Sequence, residues 1–564
     1  MRRVTSTITC AFVGAVAIGA CGGGSNASNG SSGDGGNLPD DAGNTPVGDS
    51  SSIPHFDAGP TSLDAAATAT TCTPPITAVD TSSPTSVVGT GAGTCTEALF
   101  ATALAKGGVI TFDCGGPATI AVTSEHRPIT TADTVIDGGG QVTLDGGGKT
   151  RILHVDGGDY RKHSTKLTLQ HLTFANGKAT GTPIPTAPPP CSQGFGLDGG
   201  GAAVLVNDGK LDVIDCTFGQ NNAAQLGPDV AGGAIYATGS LGVTIVGSTF
   251  LGNTASNGGA VGCLNSDLSL ANDTFSNNQA TGSGANNVSN ACDAGGGEVG
   301  NGGNGGAISI DGGADGALLV CGVTFEHNFS GALGGAIFRT PDVATQTSTF
   351  DRSTFDSNQA TQGGGAFYFH NSDLVITAST FSNNSAPGAG AIQADGTTLT
   401  LTNDTFAGND ASGGLGGAIS LFSNGGAITN CTFANNRSDG GASDFAAAIA
   451  GGATFTVANT LFANNTTKDP YSAMQCAITA TGSGDLQWPK NHVVGTAADT
   501  SCVTGITFAD PVLGALTDNG GPTMTLLPGA SGPAAGIGTA CPATDQRGQT
   551  RKSTGCTAGA VELP

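Results

Sequence analysis

The sequence predicts an all-β chain, a single-stranded right-handed parallel β-helix with a short N-terminal capping helix, and three observations carry that reading. Phe-x-x-Asn recurs at Phe218/Asn221, Phe250/Asn253, Phe275/Asn278, Phe325/Asn328, Phe355/Asn358, Phe381/Asn384, Phe406/Asn409, Phe433/Asn436 and Phe462/Asn465. Gly-Gly-Ala plus an apolar residue is interleaved with it, at Gly232, Gly258, Gly305, Gly334, Gly364 and Gly416. Between the two lie short segments such as Leu374-Val375-Ile376-Thr377 and Leu399-Thr400-Leu401-Thr402, which alternate apolar with other side chains as half-buried strands do.

A period of about 25 to 30 residues with two short strand-like segments and Gly turns reads as one solenoid coil per repeat. The one step of 50, Phe275 to Phe325, is either one coil with a large Gly-rich loop around Cys292 to Gly306 or two coils. Each Phe is expected in an internal column. Each Asn at Phe+3 is expected at the sharp turn, tolerating left-handed backbone and stacking amide on amide. The Gly pairs fit bends where a Cβ would clash. A leucine-rich or helical solenoid is the rival, but 3.6 periodicity is missing. A β-sandwich would not need a fixed Phe and Asn in every unit.

Residues 1–20 form a basic start and an apolar run, Ile8 to Ile18, too short to span a bilayer. Ile18-Gly19-Ala20-Cys21 resembles a bacterial lipobox, which implies a lipid anchor on Cys21. Residues 21–71 are rich in Gly, Ser, Asn, Asp and Pro and read as a hydrated tether. The rest divides into an N-terminal cap with the first coils (72–199), the repeats (200–470) and a C-terminal region (471–564). Glu97 to Lys106 reads as a short amphipathic helix that plugs the open first coil. Gly22 is not the Asp that commonly retains lipoproteins at the inner membrane, so the expected location of this exported chain is the outer membrane, exposed at the cell surface.

Of 564 residues 94 are Gly, 11% are charged, and the net charge is −24. Between Gly201 and Pro470 the cations are Lys210, Arg339, Arg352, Arg437 and Lys468. So few argue against nucleic acid, which is held by phosphate neutralisation, and against anionic membranes other than through the lipid. Of 15 Cys, Cys10 and Cys21 belong to the export segment, and the odd remainder in an oxidising compartment implies disulfides with a thiol left over. Proximity suggests Cys95–Cys114, Cys476–Cys502 and Cys541–Cys556.

The Gly-Gly-Ala and Phe-x-x-Asn units resemble the repeats of chlamydial polymorphic outer-membrane proteins and related pectin-lyase-like β-helix proteins. Asp485-Leu486-Gln487-Trp488-Pro489, Asp510-Pro511-Val512-Leu513-Gly514, Asp518-Asn519-Gly520-Gly521-Pro522, Thr544-Asp545-Gln546-Arg547-Gly548 and Gly559-Ala560-Val561-Glu562 are similar to the bacterial choice-of-anchor Q domain. The resemblance implies a surface protein with a β-helix body. The family's Ser-Pro-Ala-Ile-Asp run is altered here to Ser531-Gly532-Pro533-Ala534-Ala535-Gly536-Ile537.

Pectin-lyase-like helices often cut uronic-acid glycans, but the Asn-Thr-Asp, Asp-Asp, Gly-His-Gly and Arg-Ile-Lys strings of polygalacturonase-type hydrolases are missing from the solenoid. Scarce cations also disfavour a lyase. No catalytic residue is assigned. Asp267, Asp273, Asp373 and Asp404 are read as turn formers bonding their own backbone; a calcium ladder is the alternative, and no other cofactor is expected. Arg547 and Glu562 are expected to tie the last coil together.

One flank is a candidate binding surface. If the residue after Gly-Gly-Ala points inward, the next forms an outward column of Tyr236, Gly262, Ser309, Phe338, Tyr368, Gln393 and Ser420. Phe338 and Tyr368 with His370 and Phe422 would offer a platform for sugar rings or a partner's apolar patch. The competing reading is that a loop covers the rings. The expectation is a monomeric, non-enzymatic envelope scaffold that contacts glycans or cell-surface partners.

Overall fold

The computed structural model describes residues 72–184, 194–284, 301–312, 317–341, 346–422, 424–440, 445–469, 473–491 and 498–564. The signal, Cys21, the tether, Cys191 and Cys292 fall outside them.

One coil shows the plan. Its four strands are Ile337–Thr340, Gln346–Asp351, Thr354–Asp356 and Gln359–Ala360. Each pairs in parallel with its counterpart in the next coil: Phe338 with Tyr368, Val375 with Thr349, Phe355 with Phe381, Gln359 with Ser385. The first three strand series merge into a sheet of 35 strands and the fourth makes one of 8. Every strand pairing is parallel between successive coils, which rules out the antiparallel sandwich. Phe275 pairs with Phe325, so the 50-residue step is one coil with a large loop.

Phenylalanine rings fill the hollow because one Phe per coil lands at the same inward register. From Phe174 to Phe462 the rings stack at centroid separations of 4.6 to 5.4 Å, nearly parallel throughout. Phe174, one coil ahead of the first recognisable repeat, begins the column.

The Asn residues do something other than bend the chain. The left-handed position is Phe+2, occupied by Asn277, His327, Ser357, Asn383 and Asn435 among others, with φ between 54° and 58°. Asn at Phe+3 instead builds a buried ladder. The Asn384 Oδ1 accepts from the Asn358 backbone N–H and Nδ2, both at 3.0 Å, while the Asn384 Nδ2 donates to Phe355 O and Asn409 Oδ1. The same bonds repeat from Asn221 to Asn465, and Gln475 Oε1 receives the last at 2.6 Å. Both amide hydrogens and the carbonyl are thus satisfied in a waterless interior, as a buried polar group requires.

In Gly-Gly-Ala the two glycines have different reasons. Gly334 lies at φ +68°, and a Cβ on Gly335 would sit 1.9 Å from the carbonyl oxygen of Gly365 in the next coil. The predicted cap is the helix Glu97–Leu104, N-capped by Thr96, with Phe100, Ala103 and Leu104 buried over the first coil.

The acids fall in two columns, not one: Asp267 and Asp373 accept from the next coil, while Asp273 and Asp404 accept both from a neighbouring coil and, as expected, from their own turn, the Ala271 and Thr402 N–H groups. Asp267 takes the Ala317 N–H and Asp373 the Thr398 N–H, both at 3.1 Å. Asp273 and Asp404 lie at Phe−2, fully buried, accepting from Ser248 and Ser379 in the preceding coil. Burial pushes both carboxyls well above the usual range. Ala317 and Thr347 separate Asp267 from Asp373, so that column is no continuous row of carboxylates.

Disulfides join Cys95–Cys114, Cys476–Cys502 and Cys541–Cys556, the three expected pairs. A fourth, Cys72–Cys321, closes 249 residues and had no signal in spacing. Cys216, Cys263 and Cys431 are free and buried. Burial lifts the Cys216 and Cys263 thiols to about 12, which leaves them unreactive.

After the last coil the chain runs back along the corner between second and third strands. Gln546 accepts from Thr405 Oγ1 at 2.6 Å and donates to Thr380 Oγ1 at 2.8 Å. Arg551 reaches Asn403 Oδ1 at 2.8 Å, and the Thr539 N–H and C=O pair with both ends of the Asn459 amide at 2.9 Å. Arg547 and Glu562 therefore act differently from expectation. Arg547 bonds Asp545 and the Glu562 carbonyl, whereas the Glu562 carboxylate faces Arg551 at 3.4 Å. The bundle grips coils well inside the rod.

Candidate functional site

The outward column on the first strand has the register read from the sequence. Tyr236, Gly262, Ser309, Phe338, Tyr368, Gln393 and Ser420 are successive partners. Phe338 and Tyr368 stack at 5.6 Å, but each is only 5% exposed, packed under Ala332 and Leu333. The covering alternative describes these rings. Ala332 and Leu333 belong to the short chain leading into the glycine pair of Phe338's coil; residues 285–300 of the Cys292 insertion lie outside the described residues. His370 lies two residues beyond Tyr368, its Nε2 bonded to Asn371 at 2.8 Å and its Nδ1 3.7 Å from Asp395. Phe422 is 47% exposed, and the structure does not bring it into the stack.

Near Gly262 the column leaves a notch of about 20 Å³ lined by Tyr236, Asn257, Asn304, Ser309 and Asp311. That is room for one water, not a sugar ring. Tyr236 closes it by donating to Asp229 O at 2.7 Å.

The densest charge cluster lies at the N-terminal end, where sequence reasoning placed no site. Glu125 accepts from Arg151 at 2.7 Å and meets His154 Nδ1 at 3.1 Å and Arg127 at 3.0 Å. His154 Nε2 faces the Asn207 amide at 3.1 Å, an arrangement that places the imidazole proton on Nδ1, toward Glu125. The bond to His154, then Arg151, holds the Glu125 carboxyl down at about 2. Such a group is ionised at neutral pH and a poor proton carrier. Arg151 also donates to the Gly200 and Gly201 carbonyls of the following coil, so the cluster links three coils.

Arg339 occupies an inward position between Ile310 and Phe369, 1% exposed. Its Nε donates to Ser372 Oγ at 3.2 Å and a terminal nitrogen to Gln346 Oε1 at 2.9 Å. Burial draws the guanidinium down to about 10. Among the described residues, the grouping with metal-ligand spacing is Cys72, Cys321 and Asp351, and its two sulfurs are already joined to each other.

From the Phe218 coil to the Phe462 coil, length variation is confined to one side of the rod. Second and third strands are joined by two residues in coil after coil, as at 352–353 and 403–404, and so are third and fourth, as at 357–358 and 408–409. The connections before and after the first strand vary, from 256–260 to 281–307 and from a single residue, Asn371, to 312–317.

Residues 343–498 match the family described as right handed beta helix region. The chain is a right-handed parallel β-helix of about 12 turns. No curated protein matches it. The solved structure of PfbA, a surface adhesin of Streptococcus pneumoniae, aligns at 12% identity and TM-score 0.31, covering 78% of this chain and 98% of that one. A likeness that slight carries no argument about function.

Proposed function

We propose that this protein is a non-enzymatic scaffold of the bacterial cell envelope, lipid-anchored through Cys21 to the outer membrane, with a choice-of-anchor-Q-like C-terminal region and a β-helix body that meets glycans or cell-surface partners. The observation that carries the scaffold reading is that, from the Phe218 coil to the Phe462 coil, length variation is confined to the connections flanking the first strand, while the other corners keep a fixed length. Solenoids that present binding loops place their insertions on one face in this way. The four disulfides among the described residues suit an exported protein. The contact side is then the first-strand flank, where His370 and the exposed Phe422 lie, with Phe338 and Tyr368 as a stiff base beneath.

Full-length protein is incubated with a panel of glycans and scored for retention and for new reducing or unsaturated ends. Retention without products is expected, and product formation would establish the alternative, a polysaccharide lyase or hydrolase. Failure to retain any glycan or bind any cell would leave a purely structural envelope component. Repeating the assay with a chelator tests calcium at Asp267 and Asp373; unchanged retention is expected. Metabolic labelling with a fatty acid, lost in Cys21→Ser, tests the anchor.

A further inference from the structure

The corner that holds the C-terminal tail is also used from the other end. Asn272 stands at Phe−3 in its coil, as Asn403, Asn430 and Asn459 do in theirs, all with left-handed backbone. Its Oδ1 accepts the Cys72 N–H at 2.8 Å and its Nδ2 donates to the Cys72 carbonyl at 2.9 Å. That is the bond pair Asn459 makes with Thr539. Toward the N-terminal tip the same strap is held by Gln170, which bonds both the N–H and C=O of Val79, and by Thr81 Oγ1 on Asp137 at 2.7 Å. The strap therefore runs from the first coils to the middle of the rod, and Cys72–Cys321 locks its far end.

Cys321 belongs to the coil of Phe325. In the third-strand series six rungs precede Phe325, back to Ile120, and seven follow it, to Phe508, counting the incomplete coils at both ends. The tail's contact nearest the N-terminal end is Thr523 on the Ala378 carbonyl at 3.0 Å, so the Arg352 corner alone separates the two straps.

We propose that the 71 residues ahead of Cys72 leave the rod at its waist, pinned there by Cys72–Cys321 and Asn272, so that the protein is tethered side-on and not by its N-terminal tip. Where the waist points rests on the lipid-anchor reading; the exit point does not. A leash at the waist turns the strapped corner toward its anchor and leaves both tips equally far from it.

The test is a distance measurement on the full chain. One probe is placed at Ala67 through an unnatural amino acid, and a second at Lys106 near one tip or Thr507 near the other. With rungs ~4.8 Å apart, about 30 Å to either tip is expected. A short distance to Lys106 with one of about 60 Å to Thr507 would overturn the proposal. In the double variant Cys72→Ser, Asn272→Ala the Ala67 probe should move toward Lys106 and its distribution broaden, while the Lys106–Thr507 distance, which reports an intact rod, stays fixed. An unmoved probe on an intact rod would also overturn it. If the variant does not fold, the wild-type distances decide. The mass of the peptide carrying Cys21 reports lipidation separately, so failure of the anchor reading is distinguishable from failure of the waist exit.

Discussion

The coils of Phe218 to Phe355 and those of Phe381 to Phe462 share one repeat and one interior, yet treat the same outward position differently. In the first group the residue before Phe, Thr217, Thr249, Thr274, Thr324 or Thr354, faces water in part. In the second, Thr380, Thr405 and Thr432 are buried, and their hydroxyls bond Met524 O, Gln546 Oε1 and the Ala560 N–H. The residue after Phe changes to match. It is Gly219, Leu251, Ser276, Glu326 and Asp356 in the open group, and uniformly Ser or Ala under the tail, at Ser382, Ala407, Ala434 and Ala463. A repeat that stabilises itself through its interior leaves its surface hydroxyls free to become a docking track for its own chain end.

The largest effect should come from the interior, where the two groups are alike. Asn384→Ala orphans the Asn358 N–H and Nδ2 together, at a cost of about 3–5 kcal/mol by denaturant titration, and Asn253→Ala in the open group should cost about the same. A much smaller loss at Asn253 would show that the groups differ inside as well as outside.

The acids at the two ends should pull stability in opposite directions with pH. Asp485, beneath the tail, accepts the Thr460 N–H at Oδ1, and burial raises its carboxyl from 3.8 to about 7. Its folded pKa exceeds its unfolded one, so its contribution is complete below 3.8 and is lost as pH rises toward 7. Glu125 in the first coils, at the N-terminal end, is depressed from 4.5 to about 2, so its contribution holds above 4.5 and fades as pH falls. A melting temperature highest near pH 4–5 is expected. Asp485→Asn should remove part of the fall toward pH 8, worth about 2–4 kcal/mol at ~1.4 kcal/mol per pH unit. An unchanged profile would contradict the assignment.

Gln546→Ala should cost about 1–3 kcal/mol and make the tail sensitive to protease, since it deletes bonds to Thr380, Thr405 and Thr523. The smallest pair tests the comparison itself. Thr405→Val should lose about 1 kcal/mol, whereas Thr249→Val should stay within about 0.5 kcal/mol of wild type. Equal effects would mean that the tail hydroxyl bonds contribute nothing.

The interior was legible because it repeats. One Phe and one Asn per coil declare register, and alternation around Tyr236, Phe338 and Tyr368 placed the outward column correctly. Its burial was read as the competing possibility, but the cover itself was not legible, because it includes small residues such as Ala332 that carry no periodic signal. The left-handed residue was assigned one place late, to Asn at Phe+3, because His327, Ser357 and Gly408 also fill Phe+2 and hide the column. The two straps were missed since their partners, Asn272, Asn403 and Asn459, resemble ordinary turn residues. The one trace of the tail was the uniform Ser or Ala after Phe in the later coils, where the earlier ones vary from Gly to Leu, Glu and Asp. The candidate ring platform was thus half visible: which residues align could be read, and what lies over them could not.

Hydrogen exchange on wild type and Gln546→Ala tests the clasp most directly. Faster exchange is expected together in peptides covering 517–563 and in the coils of Thr380, Thr405 and Thr432, with the coils of Phe218 to Phe355 unchanged. Uniform acceleration along the rod, or none in the tail, would contradict it.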